Sequence, residues 1–367
     1  MNKLFVEMKL VSPAFVGGAD QDRAELRVAS LRGLLRFWWR ATQPPMSARE
    51  LLRKESDLFG STETGQSKFL MRIMEDKTRP LPAGATVNNS IGYLGYGIAE
   101  YKRDNRRVET IRDALDAGSK FTLQLLFKKG ADKHENELLD ALWCLTHLGG
   151  MGSRSRRGFG SMVVTGVEGA DFPGLPRSPE DLKERIEEKF EGLSVCERAG
   201  LPEYTALSRH AAVTVWRLRT KSWGDALRLV GDRLNGFRSA QRTERFHDDR
   251  DLIRDYAFEG KEPARAPRRA AFGLPHNYFF KQTNTQVNVS GADHDRRASP
   301  LFIHLHELRG GEIAAVLSLI PARFLPEGEQ VKIGPASGRG AQNVPPPPDF
   351  APVRDFLSSL EALEVRI

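Results

Sequence analysis

One segment of the chain combines clustered positive charge with aromatic rings. Residues 31–42 read LRGLLRFWWRAT, with three arginines, two adjacent tryptophans and no acidic residue. On a helix, at about 100° per residue, Arg32, Arg36 and Arg40 form a stripe about 80° wide. Trp39 falls beside this stripe and the remaining circumference is apolar, so we expect most of the helix to be buried.

Three aligned arginines on a buried helix require an anionic partner, because an unpaired buried charge is too costly. Guanidinium groups match phosphate geometry and an indole ring offers a stacking face, so a nucleic-acid backbone is one such partner. Carboxylates of the protein itself are the other. The helix alone leaves both alternatives open, with Arg32, Arg36, Arg40 and Trp39 as the candidate RNA contacts.

A second segment is rich in glycine and arginine. Residues 149–161 read GGMGSRSRRGFGS, with five glycines, three arginines and no acidic residue. Glycines let a ligand approach the backbone N–H groups and arginines supply charge, so the pattern favours phosphate binding over a flexible surface loop. The candidate residues are Gly150, Gly152, Arg154, Arg156, Arg157, Gly158 and Gly160, with Phe159 as a ring for base stacking. We expect this loop to be the main phosphate contact, with the arginine stripe turned toward it and Trp38 in the core.

The spacing within this segment excludes two common nucleotide-binding motifs. The G-x-G-x-x-G fingerprint fails at Ser155, and a strand follows rather than a helix. No Gly-Lys-Ser/Thr sequence ends the segment, so it is not a P-loop. Residues 157–160 match the first half of an RNA-reading RRM signature, but Ser161 and Met162 break the rest.

The histidines give no readable catalytic or metal-binding constellation, and we predict no metal and no cofactor. His304 and His306 share a strand face, but nothing nearby completes a metal shell. The run HDDRD at 247–251 is predicted to be a solvated helix face. His147, close to the glycine-rich segment, is the best candidate for a general acid or base beside RNA; the alternative is a histidine at a helix end.

The order of the elements predicts an α+β protein with two ferredoxin-like (RRM-like) domains that carry insertions. In the first unit, strands are predicted at 3–11, 69–75, 120–129 and 161–167, and helices at the arginine stripe, at 48–58 and at 135–148. In the second, strands are predicted at 210–221, 285–289, 300–308 and 312–319, and helices at 223–236, 245–256 and 353–363. We place the N-terminal domain at 1–170, a connector at 171–208 and the C-terminal domain at 209–367, each domain with its own core.

The composition agrees with a basic cytoplasmic protein. The 367 residues carry a net charge of +7 with a pI of about 9.4, and positive charge is clustered at 32–40, 102–107, 154–157 and 265–269, as in nucleic-acid binders. No window reaches the roughly 18 apolar residues of a membrane span, and the first residues alternate as a strand rather than a signal peptide. The two cysteines, Cys144 and Cys196, fit a reducing compartment.

The two basic segments together resemble the RAMP superfamily. The resemblance rests on the block at 31–40 after an apolar strand, and on a later loop of the form G-G-x-G-x-x-x-R-R-G-F-G-S. Within that superfamily they are similar to the first RAMP subunit of the Cmr complex, the type III-B CRISPR effector. Residues 272–275 and 297–301 resemble blocks in the C-terminal half of that subunit, whereas residues 169–209 carry no recognised motif.

The resemblance implies two ferredoxin-like domains and an RNA-binding subunit that does not cut RNA. It implies a place beside the sixth subunit at the head of the complex, near the 3′ end of the CRISPR RNA, in antiviral defence. The implied partners are the CRISPR RNA, its complementary target RNA, and other Cmr subunits, including the backbone RAMP proteins. Two rivals remain: a metal-independent RAMP endoribonuclease that uses His147 to process CRISPR RNA, and a structural subunit whose arginines pair with acidic neighbours.

Overall fold

The computed structural model describes residues 2–20, 22–87, 91, 93–193, 200–239, 244–334, 340–347 and 349–367. Cys196 lies outside the described residues, whereas Cys144 is a buried core residue. Among the described residues, no helix has both the length and the apolar character needed to cross a membrane.

The first half of the chain folds as a ferredoxin-like unit. Its elements are β1 (Lys3–Leu10), α1 (Val28–Thr42), α2 (Ala48–Phe59), β2 (Phe69–Lys77), β3 (Pro80–Leu81), β4 (Thr86–Val87), β5 (Ala99–Lys102), β6 (Arg107–Thr110), β7 (Ala114–Leu115), β8 (Lys120–Phe127), α3 (Asp132–Leu148) and β9 (Met162–Glu168). The main sheet has the antiparallel order β2-β8-β1-β9. In β1 every second residue is buried, which is the alternation that predicted the strand. Ser47 caps α2 by accepting from the Glu50 N–H, as the sequence indicates.

An insertion lies between the second and third strands of this unit. It forms two small sheets, β3-β7 and β4-β6-β5. From their asparagine and glycine content, residues 87–98 are predicted to form a hairpin or irregular edge, and residues 88–90 and 92 lie outside the described residues. The strands of two to four residues around them leave too short a pattern to recognise.

The second half repeats the same topology after a charged connecting helix. Its elements are α4 (Pro179–Glu191), β10 (Ala212–Thr220), α5 (Trp223–Arg238), α6 (His247–Arg254), β11 (His276–Phe280), β12 (Thr285–Gly291), β13 (Leu301–Glu307), β14 (Ile313–Leu319), β15 (Val331–Ile333), β16 (Gln342–Val344), α7 (Ala351–Ser358) and β17 (Leu363–Val365). The main sheet has the antiparallel order β13-β14-β10-β17. The predicted α+β class with two ferredoxin-like units and insertions is therefore confirmed.

Two details of the second half differ from the sequence prediction. Strand β11 was not predicted; it pairs with β12 in a further sheet of order β11-β12-β15-β16. The last helix was predicted to reach residue 363, but α7 ends at Ser358 and residues 363–365 form β17 beside β10. Both short strands are defined by long-range pairing, which local patterns do not reveal.

The apolar interior does not divide between the two halves, so the expectation of a separate core for each is wrong. Trp38 of α1 packs against Phe302 of β13, with ring centres 5.7 Å apart. Phe159 of the glycine-rich loop belongs to the same apolar cluster as Leu227 of α5 and Ile303 of β13. The halves are therefore held together by shared packing, and the domain boundaries at 170 and 208 stay predictions.

Candidate nucleic-acid interface

The arginine stripe of α1 faces α2. Arg36 donates from Nε to Glu55 Oε1 at 2.7 Å, and Arg40 donates from Nη1 to both Glu55 oxygens at 3.0 and 2.9 Å. Arg32 donates to the carbonyl oxygen of Phe59, the last residue of α2. Since the Glu55 side chain is only 5% exposed, two guanidinium groups compensate one buried carboxylate. Of the two partners that the sequence left open, the protein carboxylate is the one present, and the expected orientation toward the glycine-rich loop is wrong.

The two rings proposed to stack on bases are inaccessible. Trp39 is 1% exposed, and its Nε1 donates to Glu137 Oε2 at 2.9 Å. Phe159 is fully buried and packs edge-to-face on Phe15 at 5.8 Å. Because neither ring face reaches solvent, the structure contradicts the stacking roles predicted for Trp39 and Phe159, and both are core residues.

The glycine-rich loop is a buried wedge between the two halves. A Cβ atom on Gly158 (φ +82°) would lie 2.6 Å from Leu227 Cδ2. One on Gly160 (φ +63°) would lie 2.0 Å from the carbonyl oxygen of Met151. The Gly160 N–H donates to the carbonyl oxygen of Pro13 at 2.8 Å. These glycines therefore permit close packing of the protein on itself, and the expectation that they expose N–H groups to a ligand is not supported.

Hydrogen bonds fix this loop against the second half. The Ser161 hydroxyl donates to the Gly158 carbonyl oxygen at 3.1 Å and accepts from the Leu305 N–H at 3.0 Å. His304 Nδ1 contacts the Gly149 carbonyl oxygen at 2.6 Å. Gly150 and Gly152, the other two glycines predicted to bind phosphate, also pack closely against backbone carbonyl oxygens of the protein. A rigid loop of this kind holds its arginines in defined positions.

The three loop arginines are half-buried and none forms an ion pair with a described carboxylate. Arg154 donates from Nε to the carbonyl oxygen of Tyr96 at 2.8 Å. Arg156 donates to the carbonyl oxygen of Ser299 at 2.5 Å. Burial lowers the pKa of Arg156 to about 10, and burial also lowers the pKa of Arg157. The side chain of Arg157 makes no hydrogen bond to any described residue.

Arg238, at the end of α5, approaches these loop arginines from the second half. It donates from Nη1 to the Tyr93 hydroxyl at 2.9 Å and from Nη2 to His276 Nε2 at 3.2 Å. Burial, followed by the charges of Arg238 and Arg269, lowers the pKa of His276 well below its usual value, so this histidine is neutral at pH 7. A hydroxyl and a neutral imidazole thus orient the Arg238 guanidinium without cancelling its charge.

Two further arginines from the second half, Arg269 and Arg297, likewise contact uncharged groups of the protein rather than a carboxylate. Arg269 lies over the ring of Tyr278, with Cζ 4.8 Å from the ring centre. Arg297 donates to the carbonyl oxygen of Arg323 at 3.0 Å. Within the described chain, the Nε atoms of Arg238, Arg269 and Arg297 are buried and have no hydrogen-bond partner. Buried donors without protein partners are costly, so these atoms are available to an acceptor from water or from a ligand.

These side chains line two adjoining cavities, each with a volume of about 590 Å³, which we call the arginine cleft. Its arginines are Arg154, Arg156, Arg157, Arg238, Arg250, Arg269, Arg296 and Arg297. Among the described residues, no aspartate or glutamate lines either cavity, and none of these eight arginines forms an ion pair. By contrast, Arg265 pairs with Asp248 and Asp249 at 2.9 and 2.8 Å. Unpaired positive charge is thus concentrated in one concave surface, which suits a polyanion.

Asp249 holds one wall of the arginine cleft in place. It is fully buried, and its carboxylate accepts from the backbone N–H groups of Arg268 and Arg269, each at 2.8 Å. The prediction that residues 247–251 form a solvated helix face is therefore wrong at this position. The burial follows from the irregular basic segment at 265–269, which needs an acceptor for its N–H groups.

His147 is not part of the arginine cleft, so the catalytic placement considered for it is not supported. It is 5% exposed, its ring stacks on Trp143 at 4.0 Å, and burial lowers its pKa to about 3. Its neighbour in space is His306, 4.7 Å away between ring centres, and His306 contacts His304. Among the described residues, no group of His, Cys, Asp and Glu has a geometry that could hold a metal ion.

Sequence reasoning found the loop side of the cleft and missed the opposite wall. The missed arginines are Arg238, Arg250, Arg269, Arg296 and Arg297. Two signals pointed to part of this set: Arg269 lies in a basic cluster, and Arg297 lies in a block of the family resemblance. Arg238 is a single arginine at a helix end, and its role depends on the contact with Tyr93, 145 residues away in sequence.

The chain is similar to one protein-family model and to two known proteins. A family model described as the RAMP superfamily matches residues 7–163. The CRISPR system Cmr subunit Cmr1-2 of Pyrococcus furiosus is 29% identical over 183 residues, which cover 45% of this chain and 96% of the relative. The Cmr1-1 subunit of the same organism is 24% identical over 323 residues, which cover 84% of each chain.

Solved structures share the fold of the whole chain. Apo Cmr1 from Pyrococcus furiosus superimposes with a TM-score of 0.58 at 17% identity, covering 99% of this chain and 98% of the other. A chain of the type III-B Cmr-beta complex bound to cognate target RNA gives a TM-score of 0.52 at 13% identity, covering 89% and 97%. At such identities the likeness establishes the fold alone.

Proposed function

We propose that the chain is an RNA-binding subunit of a type III-B CRISPR (Cmr) effector complex, a proposal supported by the match of a RAMP superfamily model to residues 7–163 and by its similarity to two Cmr1 subunits. In this role it holds the 3′ region of the CRISPR RNA and its complementary target in antiviral defence. Its partners are these RNAs and the other Cmr subunits, especially the sixth subunit and the backbone RAMP proteins. The proposed site of action is the cytoplasm.

The observation that carries this proposal is the arginine cleft. Eight arginines without a carboxylate among the lining residues form a phosphate-binding surface, because guanidinium groups pair with phosphate oxygens at low desolvation cost. Both halves of the chain contribute, so a strand bound in the cleft contacts the loop arginines and Arg238 together. The names of the relatives support the assignment to a Cmr complex.

We propose that the subunit is not catalytic. The rival function, a metal-independent endoribonuclease, needs a titratable group that reaches the RNA phosphate or 2′-hydroxyl. His147 lines neither cavity. His276 does line the cleft, but its Nε2 accepts from Arg238, which occupies that nitrogen. Purified protein incubated with labelled RNA in EDTA is expected to leave the RNA intact, whereas cleavage that disappears in His147→Ala would favour the endoribonuclease.

Co-purification tests the main proposal. The tagged chain, expressed with the other Cmr subunits and a repeat array, is expected to recover small CRISPR-derived RNA. Ultraviolet crosslinks should map to peptides that contain residues 154–157 and 269–297. Recovery of the subunits with RNA crosslinks only elsewhere would support the remaining rival, a structural subunit whose arginines serve protein contacts. Absence of both subunits and RNA would refute the assignment.

A further inference from the structure

The two cavities of the arginine cleft differ in chemical character. The cavity beside the glycine-rich loop holds Arg154, Arg156, Arg296 and Arg297, and among its aromatic residues only Tyr96 is exposed. The neighbouring cavity, which we call the Tyr278 cavity, shares Asn277 with the first and adds further aromatic residues and Asn235 to its arginines. Its aromatic lining includes Tyr93, Tyr96, Tyr278 and Phe279. One cavity is therefore suited to phosphates, and the other to a group that is both planar and polar.

Several side chains of the Tyr278 cavity are available to a ligand. Tyr96 and Phe279 are 76% and 54% exposed, which is unusual for large apolar or aromatic residues without a partner. Tyr278 is 94% buried; within the described structure its hydroxyl makes no hydrogen bond of good geometry, and the guanidinium of Arg269 lies beside it. The amide groups of Asn235 and Asn277 can supply a donor and an acceptor to the edge of a base.

We propose that the Tyr278 cavity receives one nucleobase turned out of a single RNA strand. The flanking phosphates lie on Arg157 and Arg238, which line both cavities. The base stacks on the exposed ring of Phe279 or Tyr96, and the Tyr278 hydroxyl bonds to its edge. Single-stranded RNA is commonly recognised through such splayed bases on aromatic side chains. This inference rests on the proposed function and adds that the cleft binds a base as well as phosphates.

The mononucleotides AMP and UMP test this inference against ribose 5-phosphate, which has the same phosphate and sugar but no base. Titration calorimetry with the full chain is expected to give at least one mononucleotide with an affinity about fivefold or more above that of ribose 5-phosphate, the effect of stacking one base. The double variant Tyr96→Ala/Phe279→Ala, which removes both candidate stacking rings, should remove this preference. Tyr101→Ala is the matched control, since Tyr101 is 57% exposed and lines neither cavity.

Tyr278→Phe separates binding from folding. Loss of a buried hydroxyl that makes no hydrogen bond of good geometry is expected to leave the melting temperature unchanged or higher, while the affinity for the mononucleotide falls severalfold. Equal affinities for the mononucleotides and ribose 5-phosphate, with single-stranded RNA still bound, would overturn the base pocket and leave the proposed function intact. Failure of the wild-type protein to bind single-stranded RNA would overturn both the base pocket and the proposed function.

Discussion

The guanidinium of Arg40 donates to both carboxylate oxygens of Glu55, and the same carboxylate accepts from Arg36. The basic stripe that stands out most in the sequence thus already has acceptors inside the protein: Glu55 for Arg36 and Arg40, and the Phe59 carbonyl oxygen for Arg32. A charged stripe on a buried helix was a sound signal for an anionic partner, but it could not tell whether that partner was RNA or a residue of the next helix. The partner of Arg36 and Arg40 is Glu55, and the sequence does not show which of the chain's 48 acidic residues will pair with them.

The ion pairs of Glu55 with Arg36 and Arg40 predict that their removal lowers the stability of the protein without changing its affinity for RNA. In Arg36→Ala/Arg40→Ala the buried carboxylate loses both partners, so the free energy of unfolding should fall by about 3 kcal/mol. RNA affinity, measured well below the melting temperature, should change less than twofold. Adding Glu55→Gln to the double variant should recover part of the stability, because the buried charge is removed. A large loss of RNA affinity in the stable triple variant would show that Arg36 and Arg40 contact RNA.

Gly158 predicts a packing effect. Gly158→Ala combines a left-handed backbone with a Cβ atom 2.6 Å from Leu227, so the free energy of unfolding should fall by roughly 2 to 3 kcal/mol. Gly236→Ala is the matched control, because Gly236 lies in α5 and its Cβ would have no neighbour within 4 Å. The control should be stabilised by about 0.5 to 1 kcal/mol. Chemical denaturation measures both, and equal effects would contradict the wedge role of the loop.

The buried histidines predict a loss of stability in mild acid. Burial lowers the pKa of His147 to about 3 and of His304 to about 4, so in the folded protein both stay neutral while the unfolded chain takes up protons near pH 6.5. Their stabilising contribution is therefore present above pH 6.5 and is lost as the pH falls toward 4. Each should reduce the free energy of unfolding by about 1.4 kcal/mol per pH unit in that range.

Denaturation at several pH values between 7.5 and 4.5 measures this slope. His147→Phe keeps a ring against Trp143 and removes one titrating group, so its slope should be shallower by about one proton. An unchanged slope would show that His147 is not buried as a neutral group.

The ferredoxin-like units were predictable because their strands alternate and their helices carry apolar stripes over eight or more residues. The cleft was only half predictable. Residues 154–157 are recognisable as a basic run between glycines. Arg238, Arg269 and Arg297 are far apart in sequence and come together only in the folded second half, and they face residues 154–157 only when the two halves pack. The burial of Trp39 against Phe59 and of Phe159 between the two halves was not predictable either, because aromatic residues beside arginines look alike in sequence whether a base or a neighbouring element covers them.

The most direct test of the account is the affinity of single-stranded RNA for Arg157→Ala/Arg238→Ala, measured from 50 to 300 mM salt. The variant is expected to bind roughly a hundredfold more weakly, with a log–log salt slope shallower by about 1.4, measured at a temperature at which the RNA-free variant is shown to be folded, because Arg238→Ala also removes hydrogen bonds to Tyr93 and His276. The control Arg233→Ala, on the same helix but outside the cleft, should match wild type. Wild-type affinity and salt slope in the double variant would contradict the central claim.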